Sequence, residues 1–175
     1  MKAVLDTCVL MPPVLCDCLL SVAAAGFFRP LWSDRILGEW THAATRKGMH
    51  PGPAIAAATR AFPAARMPAA PGIEARLHLP DPDDNHVLAI AIAAGADAIV
   101  TWNAADFPRG TLAAEGIQRR DPDGFLWEMW SHDPARATAA LETVRARAEA
   151  MAGAPVALRP LLKRAKLTRL ARALG

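Results

Sequence analysis

Segments of strand length recur along the chain, and two of them are apolar runs that predict buried strands. The buried strands are predicted over residues 2–5 and 98–100, and further short strands are predicted over residues 27–32 and 117–119. Residues 73–79 instead alternate apolar and polar side chains, and this alternation predicts a further strand with one buried face. The first of these strands ends directly at an acidic residue, Asp6.

Segments that favour helix lie between the predicted strands. The Pro12-Pro13 pair opens one helix, and Ser33 is a suitable N-cap for a second. Further helices are predicted over residues 54–62 and 85–94. Because strands alternate with helices, the pattern predicts an α/β fold in which helices cover a central parallel sheet.

The pattern changes near the C-terminus, where only helical periodicity remains. Helices are predicted over residues 135–151 and 158–174, with Gly153, Ala154 and Pro155 breaking the chain between them. We therefore predict a domain of residues 1–131 and a helical, basic extension of residues 132–175.

The composition is that of a globular chain with a real core, because 53% of its 175 residues are hydrophobic. No apolar run reaches the roughly 20 residues that a spanning helix needs, so no membrane is expected. Asp6 and the Pro12-Pro13 pair interrupt the N-terminal apolar stretch, which argues against a signal peptide and for a cytoplasmic location. The three cysteines are an odd number without zinc-site spacing, so reduced thiols are expected.

Positive charge is concentrated at the C-terminus. Residues 156–175 hold six basic residues and no acidic ones, which leaves 14 basic and 17 acidic residues in the rest of the chain. A basic segment on a slightly acidic body favours a polyanionic or an acidic protein partner. A helical cap with a solvated basic face is the structural alternative.

Acidic residues follow two of the predicted buried strands and point to possible chemistry. Asp6 and Asp106 lie just past strand ends, and Asp84 starts the helix over residues 85–94. The ends of parallel strands share one edge of the sheet, where ligands bind. Carboxylates that converge there repel one another unless a divalent cation is bound, and oxygen ligands suit Mg²⁺ or Mn²⁺. Asp6 and Asp106 taken alone are also compatible with turn residues, and Asp84 taken alone favours a helix cap.

Three motifs together resemble those of the PIN-domain nucleases, which are best known as the toxin subunits of bacterial toxin–antitoxin pairs. They read VLDTCVL over residues 4–10, LPDPDDNHVLA over residues 79–89 and IVTWNAADFP over residues 99–108. The second is the most specific and is similar to the acidic turn and helix of one PIN branch. A proline and a Phe-Leu pair in residues 122–126 resemble the closing segment of that branch, so the resemblance covers about residues 1–130.

The resemblance implies a three-layer PIN-like fold and an acidic site that binds Mg²⁺ or Mn²⁺. Carried over residue by residue, the implied metal-binding and catalytic acids are Asp6, Glu39, Asp84 and Asp106. Thr101 and Asn103 would support them from nearby, and Asn103 is the alternative for the fourth position. Asp81 and Asp83 are interpreted as turn formers.

The chain departs from the family at Cys8, where an Asn is usual. An Asn amide there can hold a metal-binding carboxylate through a hydrogen bond, whereas a thiol is a weaker donor. The leading hypothesis from the resemblance is a metal-dependent endoribonuclease, a toxin with an antitoxin partner that forms a homodimer. The alternative is a PIN-fold module that binds RNA or protein with little or no catalysis. A phosphatase of the haloacid-dehalogenase type would need an acid at position 8 and is disfavoured.

Overall fold

The computed structural model describes residues 1–174 and divides into two compact units. One unit combines residues 1–11 with residues 28–120, and the other combines residues 12–27 with the chain from residue 121 onward. Gly175, the last residue of the predicted extension, lies outside the described residues. The predicted division between residues 131 and 132 stays a prediction.

The first unit contains a parallel sheet of five strands in the order β3-β2-β1-β4-β5. The predicted α/β fold with a central parallel sheet is therefore confirmed. The strands are β1 Lys2–Leu5, β2 Arg29–Ser33, β3 Arg66–Met67, β4 Ala98–Val100 and β5 Gln118–Arg120.

Helices connect and flank the strands, as the alternating pattern predicts. Within the first unit, the helix of residues 85–94 packs on β1, β2 and β4, and the helix of residues 34–46 packs on β2. In chain order the helices are α1 Thr7–Leu10, α2 Pro13–Ala24, α3 Asp34–Arg46, α4 Gly52–Ala61, α5 Pro71–Glu74, α6 Asn85–Ala94, α7 Arg109–Ala114, α8 Pro122–His132, α9 Pro134–Ala152, α10 Leu158–Arg164 and α11 Thr168–Ala173.

The two central strands are buried, which explains their unbroken apolar sequences. The apolar residues of β1 and β4 are at most 1% exposed, as expected for strands of a parallel sheet covered by helices. Leu5 pairs with Val100, and the Asp6 N–H donates to the Val100 carbonyl at 3.2 Å. This register brings Asp6 and Thr101 together where β1 and β4 end. Strands β2 and β3 lie on one side of β1, and strands β4 and β5 lie on the other. The C-terminal ends of β1 and β4 therefore form the switch point at which α/β sheets bind ligands.

The predicted strand over residues 73–79 is wrong. The segment begins as the short helix α5 and continues as irregular chain. Leu77 and Leu79 are buried, so the alternating pattern reflects anchoring of a loop. The Asn85 side chain donates to the Leu77 carbonyl and accepts the Leu79 N–H, at 3.1 and 3.0 Å. One amide therefore satisfies backbone groups that a neighbouring strand would otherwise bind. The outer partner of β2 is β3, whose two residues were too few to predict.

The second unit is helical, and α9 packs against α2 and α8 within it. The single helix predicted over residues 158–174 is wrong, because the chain forms α10 and α11 with a break at Lys166, whose φ is 63°. The Asp123 carboxylate accepts the backbone N–H groups of Arg169 and Leu170 at 2.8 and 3.0 Å. A tertiary contact thus caps α11 at a point where the local sequence favours continued helix. Among residues 1–174, no helix is both long and apolar enough to cross a membrane.

Candidate metal centre

Three aspartates form a compact carboxylate cluster in the first unit. One carboxylate oxygen from each of Asp81, Asp84 and Asp106 lies within 4.8 Å of the others. We call these residues the aspartate cluster. Within residues 1–174 it is the one group of at least three His, Cys, Asp or Glu side chains close enough to share an ion. Asp84 and Asp106 are half-buried, and Asp81 is exposed.

A tight turn places two of the clustered aspartates. Pro82–Asp84 forms one turn of 3₁₀ helix, and the Asp81 carboxylate caps it by accepting the Asp83 N–H at 2.9 Å. Asp84 then leads directly into α6. Asp81 is therefore a turn former, as predicted, but the same turn also brings its carboxylate into the cluster.

The surroundings of Asp84 disfavour its ionised form. Burial, as the largest cause, and the negative charges of Asp6, Asp81, Asp106 and Glu39 together raise the pKa of Asp84 to about 6. Like charges held close together disfavour ionisation of one another. The ionised cluster is therefore unfavourable without a positive charge to balance it.

Asn103 bridges two members of the cluster. Its Nδ2 donates to Oδ2 of Asp106 at 2.7 Å and to Oδ2 of Asp84 at 3.3 Å. Its own N–H donates to the Thr101 hydroxyl at 2.9 Å. Arg119 steadies the same loop, because its Nη1 donates to the carbonyls of Ala104 and Phe107 at 2.8 and 3.0 Å. The carboxylate of this loop that joins the cluster is thus Asp106, and Asn103 lies between the two acids as a donor.

Asp6 lies at the end of β1 and is 6% exposed. Its Oδ1 accepts the Thr7 N–H, and its Oδ2 accepts the Thr101 hydroxyl, both at 2.7 Å. The Cys8 thiol donates to the same Oδ2 at 3.1 Å, and the Cys8 sulfur accepts the Trp102 N–H at 3.2 Å. Cys8 therefore links Asp6 to the loop that follows β4.

Cys8 retains its proton under ordinary conditions. Burial and the negative charge of Asp6 together raise the pKa of the Cys8 thiol to about 12. A protonated thiol can donate to the Asp6 carboxylate, and a thiolate could not. The thiol thus supplies the kind of support that the usual Asn would give.

Glu39, on α3, is held by contacts at both of its oxygens. Its Oε2 accepts the Thr7 hydroxyl at 2.9 Å, and its Oε1 lies 2.9 Å from Nε2 of His86 and 3.5 Å from Nε of Arg35. Burial raises the pKa of Glu39, but His86, Thr7 and Arg35 lower it by more, so the net direction is downward. Glu39 therefore stays ionised in conditions where Asp84 begins to protonate.

Sequence reasoning missed His86 as a residue of the site. It lies two positions after Asp84 on α6 and is 4% exposed. Although Nε2 lies at ion-pair distance from Glu39, neither ring nitrogen makes a well-directed hydrogen bond within the described chain. A histidine inside an otherwise apolar helical run was the available signal, since such a run gives no hydrophobic reason for it.

The predicted site residues thus fall into three connected groups. In the first group, Asp84 and Asp106 lie together with Asp81 and Asn103. In the second, Asp6 lies with Thr101 and Cys8. In the third, Glu39 lies with His86. Neither Asp6 nor Glu39 is part of the aspartate cluster, but both charges act on Asp84. Clustered carboxylate oxygens that repel one another suit a hard divalent cation such as Mg²⁺ or Mn²⁺.

The raised pKa of Asp84 predicts a pH-dependent stability change in the Asp84→Asn variant without metal. Protonated Asp84 favours the folded state, and this contribution is present below the usual aspartate pKa and is lost as pH rises through about 6. At pH of about 7.5 in EDTA, the variant should therefore unfold a few degrees higher, since about 1 kcal/mol shifts Tm by about 2–4 °C at this size. At pH of about 4 the two proteins should unfold at similar temperatures. Thermal unfolding by circular dichroism measures both.

Asp83→Asn is the matched control for that experiment. Asp83 is in the same turn, but its side chain is 92% exposed and it lies outside the aspartate cluster. The control should change Tm little at either pH. An equal rise in Tm for both variants at neutral pH would show that general charge reduction, and not repulsion at Asp84, is responsible.

The contact between His86 and Glu39 predicts that a substitution at His86 weakens metal binding without lowering thermal stability. His86→Leu removes the group that faces Oε1 of Glu39 while filling the buried space, so Mn²⁺ binding should weaken about 10-fold, as for other residues that orient a site. Tm in EDTA should change little, because loss of the contact with Glu39 is offset by removal of a buried ring whose nitrogens make no well-directed hydrogen bond. His86→Gln, which can still donate, should recover much of the affinity. Calorimetric titration with Mn²⁺ measures the effect, and unchanged affinity in His86→Leu would refute it.

The PIN domain family model matches residues 2–105. No curated protein and no solved structure matches the chain significantly. The matched part of the chain includes Asp6, Glu39 and Asp84, and it ends one residue before Asp106. It also includes β1 and β4, whose ends meet at the candidate site. More than half of the chain therefore matches this one family, and the chain belongs to the PIN domain family.

Proposed function

We propose that this chain is a divalent-metal-dependent endoribonuclease that hydrolyses RNA phosphodiesters at the aspartate cluster. PIN domains are generally metal-dependent nucleases, which sets the reaction class. The observation that carries the proposal is the position of Asp84, whose pKa is raised to about 6 by burial and by four surrounding acids. Perturbed groups of this kind concentrate at functional sites.

The residues present fit a resident Mg²⁺ or Mn²⁺. Asp84 and Asp106 would hold the ion together with Asp81 or Asp6, and the donors are all carboxylate oxygens. When bound, such an ion activates water and stabilises the charge that develops on a phosphodiester. The Cys8 thiol keeps its proton, so this side chain adds no soft ligand to the set.

The chain itself contributes orientation and charge. Thr101 and Cys8 fix Asp6 through hydrogen bonds to its Oδ2, and Asn103 fixes the relation between Asp84 and Asp106. In our proposal Glu39 completes the acidic set from α3, with His86 and Thr7 holding its two oxygens. A cluster of negative charge repels the RNA backbone on its own, so the proposal requires the cation for the scissile phosphate to approach the aspartate cluster.

The finer biological role is a further part of the proposal. The motif resemblance supports a toxin of a type II toxin–antitoxin pair, which would act in the cytoplasm as a homodimer and be silenced by an antitoxin protein. These assignments depend on the resemblance alone.

The alternative function is a PIN-fold module that binds RNA or protein with little catalysis, and it was motivated by Cys8. The contacts of Cys8 reduce the support for this alternative, because the thiol forms hydrogen bonds with both Asp6 and the backbone of Trp102. The support expected from an Asn at this position is thus supplied by sulfur.

Cleavage of RNA by the purified chain tests the proposed function. We expect cutting with Mn²⁺ or Mg²⁺, none in EDTA, and loss of at least about 100-fold in rate for Asp84→Asn, since removing one electrostatic group at a reacting centre commonly has that effect. Asp83→Asn is the matched control, because it removes a neighbouring charge outside the cluster, and it should keep nearly full activity. Gel analysis of an end-labelled structured RNA measures the rates.

The outcomes of that assay separate the two functions. Metal-dependent cutting that Asp84→Asn loses and Asp83→Asn keeps would support the nuclease and its site. RNA binding without cutting, with either metal, would favour the binding module. Cutting that survives Asp84→Asn would reject the cluster as the site.

The hydrogen bonds of Cys8 predict a graded set of variants. Cys8→Ser retains a donor for Asp6 and an acceptor for the Trp102 N–H, so it should keep most of the metal-dependent activity. Cys8→Ala removes both, and kcat should fall about 10-fold through weaker orientation of Asp6. KM for RNA should change little, because Cys8 would not contact substrate. Equal activity of Cys8→Ala and the parent protein would show that these contacts do not matter to the reaction.

A further inference from the structure

The C-terminal helices carry a cluster of unbalanced positive charge. We define the basic surface by its six side chains, all of them exposed: Arg159, Lys163, Arg164, Lys166, Arg169 and Arg172. No acidic residue occurs between residues 156 and 174. Within residues 1–174, none of the six side chains forms an ion pair with a carboxylate.

Two arginines of α9, in the same unit, are paired with neighbouring acids. Arg145 contacts Glu142 at 2.5 Å and Glu149 at 2.7 Å, and Arg147 lies 3.7 Å from Asp17. Positive charges without such partners remain available to attract an anionic ligand. The six side chains of the basic surface therefore differ from Arg145 and Arg147 in having no carboxylate partner among residues 1–174.

The surface is carried by an ordered scaffold. Asp123, on α8, accepts the backbone N–H groups at the start of α11, and the Arg169 guanidinium stacks 3.5 Å from the ring centre of Trp127. Leu161, Leu162 and Leu170 are at most 3% exposed. The backbone that presents these charges is thus anchored by buried apolar side chains and by a tertiary cap.

Local helix stability explains only part of this charge. Lys163, Arg164 and Arg172 lie in last turns, where cations are favourable to the helix dipole. Arg159 and Arg169 lie in first turns, where cations are unfavourable to the helix dipole. Arg169 is compensated by Trp127, whereas no such contact accompanies Arg159 among the described residues. Some of the charge is therefore placed against the local preference.

We propose that the basic surface binds the phosphate backbone of RNA, in addition to any contacts that RNA makes at the aspartate cluster. The inference rests on the proposed function for the identity of the nucleic acid. A protein partner fits less well, because protein interfaces depend on exposed aromatic or apolar anchors. The large apolar side chains of α10 and α11 are buried or half-buried. Regularly spaced phosphates need only positive charge, and this surface offers it.

Binding measured in EDTA tests the surface without any cutting. A fluorescein-labelled, unstructured RNA of about 20 nucleotides is titrated with the full chain between about 50 and 200 mM KCl, the range over which phosphate contacts weaken steeply. The variant replaces three exposed cations of α10 by glutamine, at Arg159, Lys163 and Arg164. The slope of log K against log salt should fall by about 2, since each contact with a single strand contributes about 0.7. Affinity at about 100 mM KCl should fall 10-fold or more.

A control variant removes the same net charge elsewhere. It replaces three exposed cations of the other unit by glutamine, at Arg46, Lys47 and Arg60. This variant should keep the parent slope. An unchanged slope in the α10 variant, or an equal loss in both variants, would overturn the proposal. Loss of binding to poly-glutamate with an unchanged RNA slope would also overturn it, and would assign the surface to an acidic protein segment.

The two proposals fail in different ways. The binding assay needs no metal and no catalysis, so a chain that never cuts RNA can still show the expected change in salt slope. If the parent chain cuts RNA and the α10 variant binds RNA as tightly as the parent does, only the inference about the basic surface is overturned.

Discussion

Electrostatic repulsion among carboxylates around Asp84 is the constraint on which the candidate site depends. Burial and four neighbouring acids raise the pKa of Asp84 to about 6, so ionising the site without a cation is unfavourable. Such an arrangement persists only when other interactions hold the acids in place. Asn103 does so directly, since one amide donates to Asp84 and Asp106 together.

The parallel pairing of β1 and β4 supplies the rest of that support. The register of Leu5 with Val100 places Asp6 beside Thr101, and the thiol of Cys8 joins them to the loop after β4. His86 and Thr7 hold Glu39 from opposite oxygens. The site therefore combines mutually repelling negative charges with hydrogen-bond donors and a histidine around them. A bound cation would relieve this repulsion.

The chain separates negative and positive charge into different parts of its sequence. The aspartate cluster attracts cations and repels phosphate, whereas the basic surface has the opposite preference. A metal-dependent nuclease needs both properties, because the acids that hold its ion do not by themselves favour a polyanionic substrate. The proposed division of labour assigns chemistry to the first and affinity for the RNA backbone to the second.

The sequence by itself predicted β1, β2, β4 and β5 of the parallel sheet and the longer helices between them, and it identified Asp6, Asp84 and Asp106 as candidate site residues, because strands and their ends have strong local signatures. It also determined the family through three motifs. Tertiary structure decided what depends on distant partners. Asn85 turned the alternating segment of residues 73–79 into an anchored loop, and Asp123 capped a second helix after Lys166. The carboxylate of Asp81 and the ring of His86 entered the site in the same way. Each of these outcomes depends on contacts across the fold, which a one-dimensional pattern does not contain.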